Sequence, residues 1–198
     1  YDSVRGVQKF IRPSTTGTEA TNVNSLTAFG SDGFSIGTES AVNDNTDNFV
    51  AWCWKESNSD AGMDIVTWTG NGSSQNISHS LSAVPHFMIT KNLSATGDWT
   101  TYHKFGGGTK TFYLSNTDAI GTTSSPWNDT TPTSSVFTVG GGAYTNGDGN
   151  NIIGYLWTEK QGYSKFSSFV GNGSTDGSTI WCGFSPAFVL IKSTASGV

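Results

Sequence analysis

The stretch Ile152-Ile153-Gly154-Tyr155-Leu156-Trp157-Thr158 decides the fold class. It is too continuously apolar for a one-faced edge strand, so it reads as a central strand covered on both sides. Val136-Phe137-Thr138-Val139, starting sixteen residues upstream, reads the same way. Working outward, β-type runs fall at 64–69, 75–79, 86–91, 99–103, 109–115, 135–139, 152–158 and 163–170. Gly-Asn, Asn-Gly, Gly-Asp and Gly-Gly steps separate them and tolerate positive φ in tight turns. No segment carries a helical period. About eight strands in roughly 100 residues predict an all-β fold, a β-sandwich of jelly-roll-like form.

An internal repeat divides the chain. Gly70-Asn71-Gly72-Ser73 returns as Gly171-Asn172-Gly173-Ser174, a shift of 101 that also carries Phe87 onto Phe188 and Lys91 onto Lys192. Val50, Trp52, Trp54 and Glu56 meet Ile153, Tyr155, Trp157 and Glu159 at a shift of 103. The two extra residues fall in a Ser/Thr/Pro-rich loop, where an insertion disturbs least. The expected organisation is tandem modules of about 100 residues. Residues 1–63 are the later part of one unit, 64–168 a complete unit, and 169–198 the beginning of another. Both ends fall at one phase of the repeat. Either the polypeptide continues beyond them, or segments 1–63 and 169–198 close into one module.

Composition excludes several classes. Ser, Thr, Gly and Asn make up nearly half of the 198 residues, with 13% charged and 13% aromatic. Aromatic side chains spread from end to end supply a core and exclude disorder. A net charge of −5 with scattered lysines and only two arginines argues against a nucleic-acid surface. No apolar run approaches the ~18 residues of a membrane span. Cys53 and Cys182 are expected as buried thiols in strands, a disulfide being the weaker alternative. Five N-x-S/T sequons match what this Asn, Ser and Thr content gives by chance.

Candidate chemistry is sparse. Glu56 and Glu159 each follow a strand ending in Trp, and a repeated scaffold position explains them better than a glycosidase pair. His79, His86 and His103 are expected as satisfied polar residues in or beside strands. The loops holding Asn43, Asp44 and Asp47, and Asn146 and Asp148, are rich in oxygen ligands. Calcium is the one cofactor they suggest, although Asx turns explain them more simply. Trp127-Asn128-Asp129 is the best glycan-binding cluster: the ring would stack on a sugar while the amide and carboxylate fix hydroxyls. Core packing is the competing role for Trp127, and the expected one for Trp52, Trp54, Trp68 and Trp157.

The runs Tyr1-Asp2-Ser3-Val4-Arg5-Gly6, Phe49-Val50-Ala51-Trp52-Cys53-Trp54-Lys55 and Gly162-Tyr163-Ser164-Lys165-Phe166 resemble a repeat family in virion proteins of marine bacteriophages. Trp127-Asn128-Asp129-Thr130 and Gly183-Phe184-Ser185-Pro186 carry the same resemblance, which covers essentially the whole chain. It implies a non-enzymatic virion structural protein of the tail or tail-fibre kind, exposed on the particle. The implied partners are other virion subunits in a homo-oligomer and a host-surface glycan. Gly140-Gly141-Gly142-Ala143-Tyr144 departs from its counterpart Gly37-Thr38-Glu39-Ser40-Ala41, against a shared ligand role for the following loop. The rival expectations are a polysaccharide-degrading tailspike and a capsid-surface decoration protein.

Overall fold

The structure, a computed structural model, describes residues 1–57 and 59–195. Its strands are β1 (Lys9–Phe10), β2 (Ala20–Thr21), β3 (Leu26–Phe29), β4 (Phe34–Ile36), β5 (Met63–Thr69), β6 (Gln75–Ser78), β7 (Phe87–Asn92), β8 (Thr100–His103), β9 (Lys110–Tyr113), β10 (Gly121–Thr122), β11 (Val136–Val139) and β12 (Asn151–Trp157). Two single-turn helices, α1 (Ser40–Asn43) and α2 (Ala143–Asn146), interrupt them. The fold is all-β and the sheets are antiparallel.

Strand β12 is central, as its apolar run requires. It lies between β7 and β5 in a six-stranded sheet of order β10-β9-β8-β7-β12-β5. Leu156 stands opposite Met88 on one side and Asp64 on the other. Ile152, Ile153, Gly154 and Leu156 are all buried. On one face, Val66, Trp68, Met88, Tyr102 and Leu156 pack against Ile77 of β6, Phe137 and Val139 of β11, and Leu81 and Trp127. The fully buried Met88, Phe137, Val139 and Leu156 each contribute about 1.5–3 kcal/mol. On the other face, Ile153, Trp99, Ile65, Ile89 and Tyr155 pack around Ile11 from the N-terminal segment. Polar groups tie that segment down. Lys91 Nζ donates to Thr16 O at 3.0 Å and Gly97 O at 2.9 Å, and burial lowers its pKa.

The six-stranded sheet therefore packs against the β11–β6 pair, β1–β2 and β3–β4 form two further pairs, and several sequence expectations need correction. Strand β11 pairs only with β6 and alternates half-buried with buried residues, so it is one-faced and not central. Residues 163–170 form no strand. Trp52 and Trp54 are exposed, because residues 48–55 have no sheet to pack on. Cys53 is exposed and Cys182 half-buried; both are free thiols outside any strand.

Candidate functional site

The loop after β10 does not present an aromatic platform. Trp127 is 1% exposed and meets the Tyr102 ring edge-on, with centroids 5.9 Å apart. Its ring closes the end of the core, which corrects its expected role as a sugar-stacking face. Asn128 and Asp129 remain on the surface, turned there by left-handed backbone with φ of 51° at both. Asn128 N–H donates to Ser124 O, and the Thr130 hydroxyl donates to Asn128 O. The indole Nε1 has no hydrogen-bond partner.

The candidate calcium ligands separate in the same way. Asn146 is fully buried, and both ends of its amide are engaged. Nδ2 donates to Asn71 Oδ1, Ser73 O and Gly140 O; Oδ1 accepts from Asn71 N–H and Gln75 Nε2. This side chain fastens the β5–β6 turn to the loop after β11 and has no lone pair left for an ion. Asn43 is exposed and makes the single equivalent bond, Nδ2 to Gly37 O at 2.7 Å. Asp44, Asp47 and Asp148 are exposed, with Asp44 Oδ1 accepting from Asn45 N–H. Among the described residues no group of three or more His, Cys, Asp or Glu side chains converges on a metal position.

Glu159 follows strand β12 as expected, whereas Glu56 follows residues 48–55, which form no strand, and the surroundings of the two differ. Glu159 accepts from Lys104 Nζ at 2.6 Å, Lys165 Nζ at 3.4 Å and Phe166 N–H at 2.9 Å. Burial alone would raise its carboxyl; the hydrogen bonds from Lys104 and Phe166 reverse this and hold it below the usual range. Among the described residues, Glu56 accepts from Ile65 N–H at 3.3 Å. There, burial and the Asp64 charge prevail over the backbone donor and raise the carboxyl. The nearby histidines act as acceptors: His86 Nδ1 takes Glu159 N–H and His103 Nδ1 takes Phe105 N–H. Burial lowers the pKa of both, with Lys104 adding to it. His79, the third, has Nε2 against Thr133 O at 3.2 Å.

Two features escaped sequence reasoning. One is a buried network in which Asp2 accepts from Arg5 and Tyr155 while Arg5 reaches Glu19. Asp2 and Arg5 are three residues apart, but Tyr155 lies 153 positions away, too far for any local pattern to join it to them. The other is a cleft of ≈ 250 Å³ lined by Tyr113, Tyr144, Thr100, Thr123, Ser125 and Thr145. The two tyrosine rings meet edge-on at 6.4 Å, and Thr100 Oγ1 is buried without a partner. A signal existed for this one. Tyr113 and Tyr144 stand at positions where the first copy has Arg12 and Ala41.

The chain belongs to the family described as a domain of unknown function, DUF7483, whose model matches residues 1–198. No curated protein and no solved structure matches it.

Proposed function

We propose that this member of the DUF7483 family is a non-enzymatic structural element of a bacteriophage virion, a segment of a tail fibre or other surface appendage. The observation that carries the reading is the engagement of its strongest polar candidates in scaffold bonds. Asn146 makes five hydrogen bonds to backbone and side chains, and Glu159 is held by two lysines and a backbone N–H. The resemblance to repeat proteins of marine phage virions supports the location. A Ser/Thr/Asn-rich surface of low charge suits an element exposed on a particle. Immunogold labelling of purified virions with antibody to this chain tests the reading. Label on an appendage is the expected result; label over the capsid shell would make it a decoration protein. Release of new reducing ends from host polysaccharide would instead make it a depolymerase.

A second reading, glycan recognition by the same appendage, is favoured by the Tyr113–Tyr144 cleft. Two aromatic rings bordered by hydroxyl groups offer stacking faces and hydrogen-bond partners for a sugar. Tyr144→Ala should weaken adsorption to host cells without lowering the melting temperature. Undiminished adsorption would remove glycan binding from this cleft.

A further inference from the structure

The loops that lead out of β1 and β9 occupy the same place in successive units of the repeat, and each receives the unit that follows it. Loop 13–19, after β1, is met by the β7–β8 turn of the central unit. Glu19 N–H donates to Leu93 O at 3.1 Å, and Gly97 N–H to Thr16 O at 2.9 Å. Trp99 Nε1 reaches Arg12 O at 3.3 Å and Thr15 O at 3.1 Å. Loop 114–120, after β9, is met in turn by residues 192–194, where Ile120 N–H donates to Thr194 O at 3.0 Å. Glu19 and Ile120 are 101 positions apart, and so are Leu93 and Thr194.

A lysine closes both joints. Lys91 Nζ donates to Thr16 O at 3.0 Å and to Gly97 O at 2.9 Å, one carbonyl from each side of the joint, and the residue is 0% exposed. Lys192 Nζ, 101 positions on, donates to Asn116 O at 3.0 Å and is half-buried. Among the described residues neither lysine forms an ion pair; the acceptors of both are main-chain carbonyls. An ammonium carries three donors on one head, so a single side chain can bridge carbonyls that belong to two units.

The two loops share little sequence. Between 13–19 and 114–120 only Ser14 with Ser115, and Thr16 with Thr117, match in type. The joint tolerates this because its partners on the loop are main-chain groups, which do not depend on the side chain. Nor does it need a sheet behind it. Lys91 lies in β7, whereas residues 192–194 lie in no strand, yet equivalent bonds form. Lysine is the one side chain that both joints use.

We propose that this loop is the seat each unit offers to the next unit of the same chain, and that the lysine is the latch that fixes successive units at one angle. The units are those into which the repeat divides the chain, and both joints lie within that chain. The partner the seat fits is a unit with lysine at the position of Lys91 and a main-chain carbonyl two residues further on. In a repeat array each unit touches only its neighbours, so one joint used again and again gives a regular screw whose stiffness is that of the joint. The inference goes beyond the virion reading and stands without it.

Amide hydrogen exchange followed by NMR on the whole 198-residue chain tests both joints. Glu19 and Ile120 N–H should be protected, although both lie outside any strand. Lys192→Met should speed exchange at Ile120 about tenfold or more and leave Glu19 and Tyr155 unchanged, since a charge-assisted bond is lost from one joint only. Lys91→Met should speed Glu19 and Gly97 in the same way and leave Ile120 unchanged. Where Lys91→Met unfolds the central unit, Lys192→Met decides, because its side chain lies outside the sheet. Residual dipolar couplings of amides in β3 and β4 and of those in β5, β7 and β12 should fit one alignment tensor. An unprotected Ile120 in the unsubstituted chain, an unchanged Ile120 in Lys192→Met, or a loss that Tyr155 shares equally would overturn the latch. Separate tensors for the two sets of strands would overturn the fixed angle.

Discussion

Tyr155 Oη donates a 2.8 Å hydrogen bond to Asp2 Oδ2, joining residues 153 positions apart and fixing the N-terminal segment against the central strand of the sheet. Asp2 also accepts from Arg5 N–H at 2.9 Å and Arg5 Nε at 2.6 Å, and Arg5 Nη1 continues to Glu19 at 3.1 Å. Burial, reinforced by the Asp2 carboxylate, raises the Tyr155 phenol well above its ordinary range. Burial alone would raise Asp2, but its hydrogen bonds to Arg5 and Tyr155 prevail and hold it below the ordinary value of 3.8.

The first prediction follows from that network. A carboxyl with a depressed folded pKa contributes stability that is fully present above its unfolded value and lost as pH falls through its folded one. Urea midpoints recorded from pH 7 down to pH 2.5 should therefore drop at the acid end, and Asp2→Asn should flatten part of that drop. Tyr155→Phe should cost about 1–3 kcal/mol at neutral pH, since it removes one of the hydrogen bonds to a buried carboxylate oxygen and leaves Arg5 Nε as its remaining donor. An unchanged midpoint for Tyr155→Phe would contradict this.

A second prediction separates the two glutamates. Glu56 should take up its proton at higher pH than Glu159 when carboxyl shifts are followed by NMR. Glu159→Gln should cost about 1 kcal/mol at pH 7, a partly exposed network losing its charge-assisted bonds. Glu56→Gln should be neutral or stabilising there, because a carboxylate with a raised pKa opposes folding when ionised. Equal losses for both would reject the distinction.

The third concerns the buried amide. Asn146→Ala strands several buried donors and acceptors at once and should cost at least about 3 kcal/mol. Asn43→Ala, in dilute protein, should cost less than about 1 kcal/mol, since one exposed bond is removed. Thermal melts of the two variants at one low concentration make the comparison. Similar melting temperatures would place the two loops in equivalent surroundings.

The fourth assigns Trp127. Removing a buried indole from the end of the core should cost about 3–5 kcal/mol. Trp127→Ala should lower the melting temperature by many degrees, whereas Asn128→Ala and Asp129→Ala, on the surface, should barely move it. A stable Trp127→Ala protein would return the ring to a binding role.

Much of the fold was legible in local pattern. The unbroken apolar run at 152–157 could be satisfied only between two strands and under two layers, and it is found there. The all-β class, the strands from 64 to 139 and the turn chemistry of Gly70-Asn71-Gly72-Ser73 are properties of short windows, written in alternation and in tolerance of positive φ. For the same reason the sequence marked Asn43 and Asn146, and Glu56 and Glu159, as matched pairs.

What each member of those pairs does was decided only by tertiary structure. Burial depends on which segments are brought together, and no window of sequence contains its own neighbours. Val136–Val139 is as apolar as a central strand, yet it pairs on one side because only β6 reaches it. Trp127 read in sequence as either a glycan platform or core, and it is core, packed in one cluster with Tyr102 and Phe137. Trp52 and Trp157 read alike in sequence, but only Trp157 lies on a sheet. The sequence alone determined which residues are equivalent and which can form strands. Packing decided which of them are covered, because the side chains of an apolar strand are buried only where another layer lies against their face.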